Sequence, residues 1–268
     1  MECNALDPLK EWFAVYCRGF YTENMADNRN IALKETHTGH VRENMNLLTG
    51  SLDLYEGDRA TAETIALFHD LGRFEQYRRY STFRDDLSVN HAALGVKILK
   101  DGDVLEIVPE AERRTIYMAI SLHNVFRVPD TIDCRDLLFT RLIRDADKLD
   151  IWRIFVEYYG MPEAERASAV GLGFPDLPEC SHEVLNSLER MEMVNLSTLK
   201  SLNDFKLLQL SWVFDLNFPA SFRVAMDRGY IDGLSATLPK NRAVENAVRV
   251  VREFVTGNAA NGDGNARI

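Results

Sequence analysis

The sequence predicts an all-α protein, and three observations carry that expectation. Apolar residues recur at spacings of three and four nearly throughout its 268 residues, the period of an amphipathic helix. No stretch alternates apolar and polar residues with β-branched enrichment, so no sheet is expected. Pro8, Pro109, Pro162 and Pro219 stand where periodic stretches begin or end, as residues lacking an N–H should. The composition fits a globular chain, with 46% hydrophobic and 27% charged residues. Only 15 glycines and 8 prolines are present, which excludes collagen-like and low-complexity classes.

Taken in order, helices are expected at 8–26, 28–53, 58–71, 89–101, 110–124, 134–159, 181–194, 199–216, 219–229 and 240–256. Residues 160–180 contain Gly171-Leu172-Gly173 and three prolines and read as a long loop. The small, polar residues 258–268 read as a disordered tail. A single helical domain over 1–257 is expected, with a histidine-bearing core at about 30–160 and plain amphipathic helices at about 180–256.

Lys plus Arg number 31 against 41 Asp plus Glu, a net charge of −10. That balance argues against a duplex nucleic acid as partner, because such binding needs a net basic face. It leaves room for a local basic pocket holding a small phosphorylated ligand. Cys3, Cys17, Cys134 and Cys180 show no CxxC pairing, so reduced thiols in a cytoplasmic protein are expected. The N-terminus lacks the signal-peptide pattern, and no apolar run approaches the ~18 residues of a membrane span, so no membrane role is expected.

The informative feature is where the histidines fall. His37 heads the stripe Val41, Met45, Leu48, Leu52, and His69 ends the stripe Ala62, Ile65, Ala66. His91 starts Leu94, Gly95, Ile98, while His123 ends Ile116, Ala119, Ile120. Asp147 lies between Ile143 and Ile151, Ile154, and Asp70 adjoins His69. These spacings put each polar residue on the inward face of its helix. One such histidine is ordinary. Five helices aiming His or Asp inward would cost several kcal/mol per unpaired group. Convergence on metal removes that cost, because neutral imidazole and carboxylate suit divalent ions such as Zn, Mn or Fe. Asp70 could bridge two ions, which together would hold a hydroxide and stabilise a phosphoryl displacement. His40, three residues from His37, could reach the mouth of this site, whereas His182 at a helix start reads as a surface residue.

These residues resemble the HD superfamily of metal-dependent phosphohydrolases. His37-Thr38-Gly39-His40-Val41 is similar to its first motif, with His40 where an Arg is common. Phe68-His69-Asp70-Leu71-Gly72-Arg73 resembles the signature dyad, and Arg144-Asp145-Ala146-Asp147-Lys148 resembles the last motif. Asn90-His91-Ala92-Ala93-Leu94-Gly95 and Ser121-Leu122-His123-Asn124 resemble the added elements of members that bind two metals, with Asn124 where a second His is common. The resemblance implies an HD-like helical bundle with additional C-terminal helices. It implies one or two divalent ions (Mn, Fe, Ni, Co, Mg or Zn), with His37, His69, Asp70 and Asp147 on the first. Asp70, His91 and His123 would hold the second, and a water or hydroxide between the metals would be the nucleophile.

Four arginines fall between Arg73 and Arg84, interleaved with Tyr77, Tyr80 and Phe83. Guanidinium forks match phosphate oxygens and the rings could stack on a base, so this loop is read as facing a phosphorylated substrate, a nucleotide among the options. The plainer reading is that Glu75, Asp85 and Asp86 pair with these arginines. Arg73, three residues after Asp70, and Lys148, beside Asp147, are the candidate catalytic groups with Asp70. Arg84 and His40 are further substrate-binding candidates. The sequence predicts hydrolysis of a phosphomonoester, nucleotide or phosphodiester. Two other readings stay open: the diiron oxygenase branch of the same superfamily, whose ligand order is similar, and a regulatory metal-binding module. A homodimer is a further option.

Overall fold

The computed structural model describes residues 5–260, and among them there is no strand. The helices are α1 (Leu6–Arg18), α2 (Met25–Ser51), α3 (Glu56–Phe68), α4 (Leu71–Tyr80), α5 (His91–Asp101) and α6 (Glu110–Leu122). They continue as α7 (Cys134–Gly160), α8 (His182–Glu189), α9 (Leu202–Ser211), α10 (Pro219–Asp227), α11 (Tyr230–Ser235) and α12 (Arg242–Ala260). No helix among the described residues is long and apolar enough to cross a membrane.

Where one domain was expected over 1–257, the backbone clusters into two compact units that divide within α7. The first runs to Asp147 and takes in Ala167–Val170; the second comprises Lys148–Arg166 and the residues from Gly171 onward.

In the first unit α2 packs on α3, α3 and α5 on α6, α4 on α5, and α1 on α3. The Asn24 side chain accepts from the Ala26 and Asp27 amides and starts α2, satisfying donors a helix leaves open. The long helix expected over 8–26 therefore ends at Arg18. Phe13 meets Phe68 and Phe74 edge-on, so α1 covers the α3–α4 corner. Buried Val41, Met45 and Leu48 of α2 form the stripe that His37 heads. Ala167–Val170 joins this unit because the Ala169 amide donates to Asn30 Oδ1 at 3.1 Å.

The largest departure from expectation is α4. The arginine-rich stretch read as a loop is helical through Tyr80, buries Leu71, Phe74, Gln76 and Tyr77, and leaves Arg78 and Arg79 exposed. Its apolar positions are too few to announce a helix. What seats it is glycine: a Cβ on Gly72 would come within 2.1 Å of the His91 carbonyl oxygen, and one on Gly95 within 3.2 Å of the Gly72 nitrogen. Backbones this close admit no side chain between them, and the contact sets Asp70 and His91 beside each other.

In the second unit α12 packs against α8 and α10, burying Val244, Ala247, Val248, Val251 and Val255. Trp152 is wholly buried and its indole N–H donates to the Gln209 carbonyl at 2.8 Å. The aromatic run after Asp147 is thus core, with Phe155 stacked on Tyr159. Helix α11 was not expected; six residues after left-handed Gly229 are too short for a periodic signal. Helix α8 stops at Glu189, and α9 at Ser211, where a 3-10 turn takes over through Asp215. Residues 258–260, expected as the start of the tail, are helical because α12 runs through Ala260; the rest of that stretch, 261–268, like Cys3, lies outside the described residues. Cys17, Cys134 and Cys180 are free.

Candidate metal centre

Six side chains from five helical elements converge in the first unit, and local structure explains each position. His37 lies mid-helix in α2 and Asp147 in α7. These helices are tied by buried Asn44, which donates to the Ala146 carbonyl at 3.0 Å. His69 and Asp70 form the corner where α3 stops and α4 begins. His91 is the first residue of α5, whose Asn90 cap accepts from the Ala93 amide. His123 closes α6. Its carbonyl and that of Val125 accept from Arg144 of α7, at 3.1 and 2.6 Å, so a cation meets the negative end of that helix.

The two oxygens of Asp70 face two different groups. Oδ2 lies 3.5 Å from His37 Nε2 and 3.8 Å from His69 Nε2. Asp147 Oδ1 completes this side, 3.1 Å from His37 Nε2 and 3.7 Å from His69 Nε2. Oδ1 of Asp70 lies 3.2 Å from His91 Nε2 and 3.8 Å from His123 Nε2. The sets His37, His69, Asp70 and Asp70, His91, His123 are buried, and within each set the facing atoms lie within 4.8 Å of one another.

The proton positions decide what such a cluster wants. His123 Nδ1 is 2.7 Å from the Ile120 carbonyl, and His69 Nδ1 is 2.8 Å from that of Ala66. A carbonyl only accepts, so both Nδ1 atoms carry the hydrogen and, in the neutral rings, both Nε2 atoms are bare lone pairs. His91 Nδ1 faces the Asp85 carboxylate at 2.7 Å and is likewise assigned as donor. His91 Nε2 and His123 Nε2 then face each other at 3.0 Å with no hydrogen to share, beside a carboxylate oxygen. Two buried acceptor nitrogens facing each other without a hydrogen between them favour a cation. Burial, then neighbouring His91 and His69, push His123 down to about 3, which keeps it neutral and fit to ligate. Burial opposes ionisation of Asp70, but Lys34, His69 and Arg73 outweigh it and hold its pKa well below the usual range. Asp147 is also buried, yet neighbouring His37 and His69 more than offset that and hold its pKa well below the usual range. The donor set therefore fits divalent ions held by nitrogen and oxygen: His37, His69, Asp70 and Asp147 for one, Asp70, His91 and His123 for another.

Sequence reasoning missed part of the support. Asp85 receives His91 Nδ1, Arg73 Nη1 at 2.9 Å, Gln76 Nε2 at 2.8 Å and Asn124 Nδ2 at 3.0 Å. Burial raises its pKa, but these donors more than offset that and keep it anionic. Asn124, in place of a second His, serves this carboxylate. A carboxylate behind a ligating imidazole fixes its tautomer and orientation. Removing it in Asp85→Ala should weaken uptake of the second ion roughly 10- to 100-fold and leave the first almost unchanged; calorimetric metal titration of the purified variant checks this. Lys34, one turn before His37, was also missed, and its Nζ lies 2.6 Å from Asp70 Oδ2.

Other expected substrate contacts have partners outside the cluster. His40 Nδ1 is 3.2 Å from Glu43, and Arg84 forks onto Asp86 at 3.1 and 2.6 Å. Arg78 and Arg79 both pair with Glu75. Lys148 reaches Asp215 at 2.6 Å within the second unit. His182 is exposed at the start of α8. The plainer reading of the arginine-rich stretch thus holds for the arginines at 78, 79 and 84. Arg73 differs, because it reaches both Asp85 and Asp70, the latter at 3.4 Å.

Residues 35–152 match the family model of the HD domain. That segment contains all six converging residues. HD domains as a superfamily are metal-dependent phosphohydrolases. Neither a comparison with curated proteins nor one with solved structures finds a match.

Proposed function

We propose that this chain is a metal-dependent phosphohydrolase acting on a small phosphorylated substrate, a phosphomonoester, nucleotide or phosphodiester. The observation that supports it most is the two-sided Asp70: each carboxylate oxygen addresses its own pair of imidazole nitrogens. One bridging carboxylate with two donor sets is what a two-ion phosphoryl site needs. When bound, the divalent ions would supply the Lewis acidity that activates water and neutralises charge building up at phosphorus.

The chain's own residues do the rest. His69 and His123 are locked by backbone carbonyls and His91 by Asp85, so none of these three imidazoles must rotate to act. Fixed ligands cost no reorganisation during reaction. Arg73 is held between Asp70 and Asp85 with a guanidinium suited to a phosphate oxygen. It leads the candidates for binding substrate because it lies against Asp70, whereas Lys148, Arg84 and His40 pair with Asp215, Asp86 and Glu43. Hydrolysis places the water oxygen on phosphorus, breaks the ester P–O bond, and delivers a proton to the leaving oxygen.

The test is a panel of phosphomonoesters, nucleotides and bis-p-nitrophenyl phosphate, each with Mn, Co, Ni, Mg and Fe. Phosphate or p-nitrophenol release that EDTA abolishes is expected. Iron retained with no hydrolysis under any metal would overturn the reading and favour the oxygen-dependent branch of the superfamily.

A further inference from the structure

Lys34 has a partner but no role in the reading so far. Its side chain is 13% exposed, and its Nζ is 2.6 Å from Asp70 Oδ2, the oxygen turned to His37 and His69. Arg73 addresses the other oxygen, with Nε 3.4 Å from Oδ1. Arg73 Nη1 is taken up by Asp85, Gln76 Oε1 and the Phe83 carbonyl. Arg73 Nε is different: it is buried and has no hydrogen-bond acceptor. Both cations also lie against one ring, Lys34 Nζ 5.3 Å and the Arg73 guanidinium carbon 6.0 Å from the centre of Phe83. The bridging carboxylate is thus straddled by two cations on a shared aromatic floor.

Simple neutralisation of Asp70 would explain one cation. It does not explain two, one of which is anchored so firmly by other groups that its Nε is left without an acceptor. With Asp70 committed to divalent cations, Lys34 loses its anion and Arg73 Nε still lacks an acceptor. An anionic ligand with several oxygens satisfies both.

We propose that Lys34 and Arg73 Nε form a phosphate clamp on either side of Asp70, selecting the terminal phosphate dianion of a phosphomonoester over a phosphodiester. The proposal rests on the phosphohydrolase reading and narrows it. A phosphomonoester carries close to two negative charges at pH 7 and three acceptor oxygens. A diester has one charge and one fewer free oxygen, too few acceptors for two cationic side chains in addition to the metal centre. Lys34 is then a substrate-binding residue that competes with the first metal for Asp70 only while the site is empty.

That competition gives a test independent of turnover. The full-length protein and Lys34→Met are titrated with Mn, and each loaded protein is then titrated with inorganic phosphate by calorimetry. Lys34→Met should bind phosphate roughly 10- to 100-fold more weakly, the loss of one charge-assisted hydrogen bond, while taking up Mn as tightly as the wild type or more tightly. Lys34→Arg, which keeps the charge, should recover most of the phosphate affinity, and circular dichroism verifies folding. Should Lys34→Met fail to fold, equal phosphate affinity in Lys34→Ala or Lys34→Gln would refute the clamp. Unchanged phosphate affinity in folded Lys34→Met overturns the proposal while metal-dependent hydrolysis leaves the phosphohydrolase reading standing. Lys34-dependent phosphate binding without hydrolysis of any substrate does the reverse. Faster turnover of bis-p-nitrophenyl phosphate than of p-nitrophenyl phosphate would overturn the selection for a monoester.

Discussion

Asp70→Ala is expected to lose both metal ions and, with them, phosphate release. Among the described residues Asp70 is the side chain shared by both donor sets, since Oδ2 addresses His37 and His69 while Oδ1 addresses His91 and His123. The variant would leave imidazole nitrogens at 3.0 and 3.3 Å from each other without the carboxylate that draws cations to them. It would also strand Lys34 beside those sites, adding a repulsive charge. The rate should fall by more than the roughly 10²–10³-fold that loss of a single electrostatic contact costs. Metal analysis and a hydrolysis assay on the same preparation check both parts. Full activity would mean that Asp70 is not a ligand.

The second large effect concerns the count of ions. In the double variant His91→Ala with His123→Ala, only Asp70 Oδ1 remains of the second set, while His37, His69, Asp70 and Asp147 are untouched. A lone carboxylate oxygen does not hold a transition metal firmly, whereas two imidazoles with two carboxylates do. Metal content should therefore drop by one ion per chain. Unchanged stoichiometry would make these histidines structural. The facing nitrogens argue otherwise, because a structural histidine pair shares a hydrogen, and here carbonyl and carboxylate partners have taken both.

The converging six were legible in the sequence because each sits at a helix face or helix end whose phase is fixed locally. His37 and Asp147 are mid-stripe, while His69, His91 and His123 lie at ends marked by Gly72, Asn90 and Asn124. Their supports were not legible, because these are set by which helices pack rather than by local period. Asp85 looks like one acid in a charged run until the turn after α4 folds it onto His91. Arg144 reads as part of a motif until α7 lies against the end of α6 and it caps the His123 and Val125 carbonyls. Lys34 is a plain helix lysine by sequence; one turn before His37, it faces Asp70 only because α2 packs near the α3–α4 corner. The same limit explains the arginine-rich stretch. Its charge suggested a substrate loop, but Gly72 against the His91 carbonyl pins it as a helix, and Glu75 and Asp86 claim most of its arginines.

The central claim is that a single carboxylate serves two ions. The measurement that tests it most directly is the metal content of the full-length protein, purified without chelator and titrated to saturation. The account predicts about two divalent ions per chain, falling to almost none in Asp70→Ala. Saturation at one ion, with Asp70→Ala still binding it, would contradict the account.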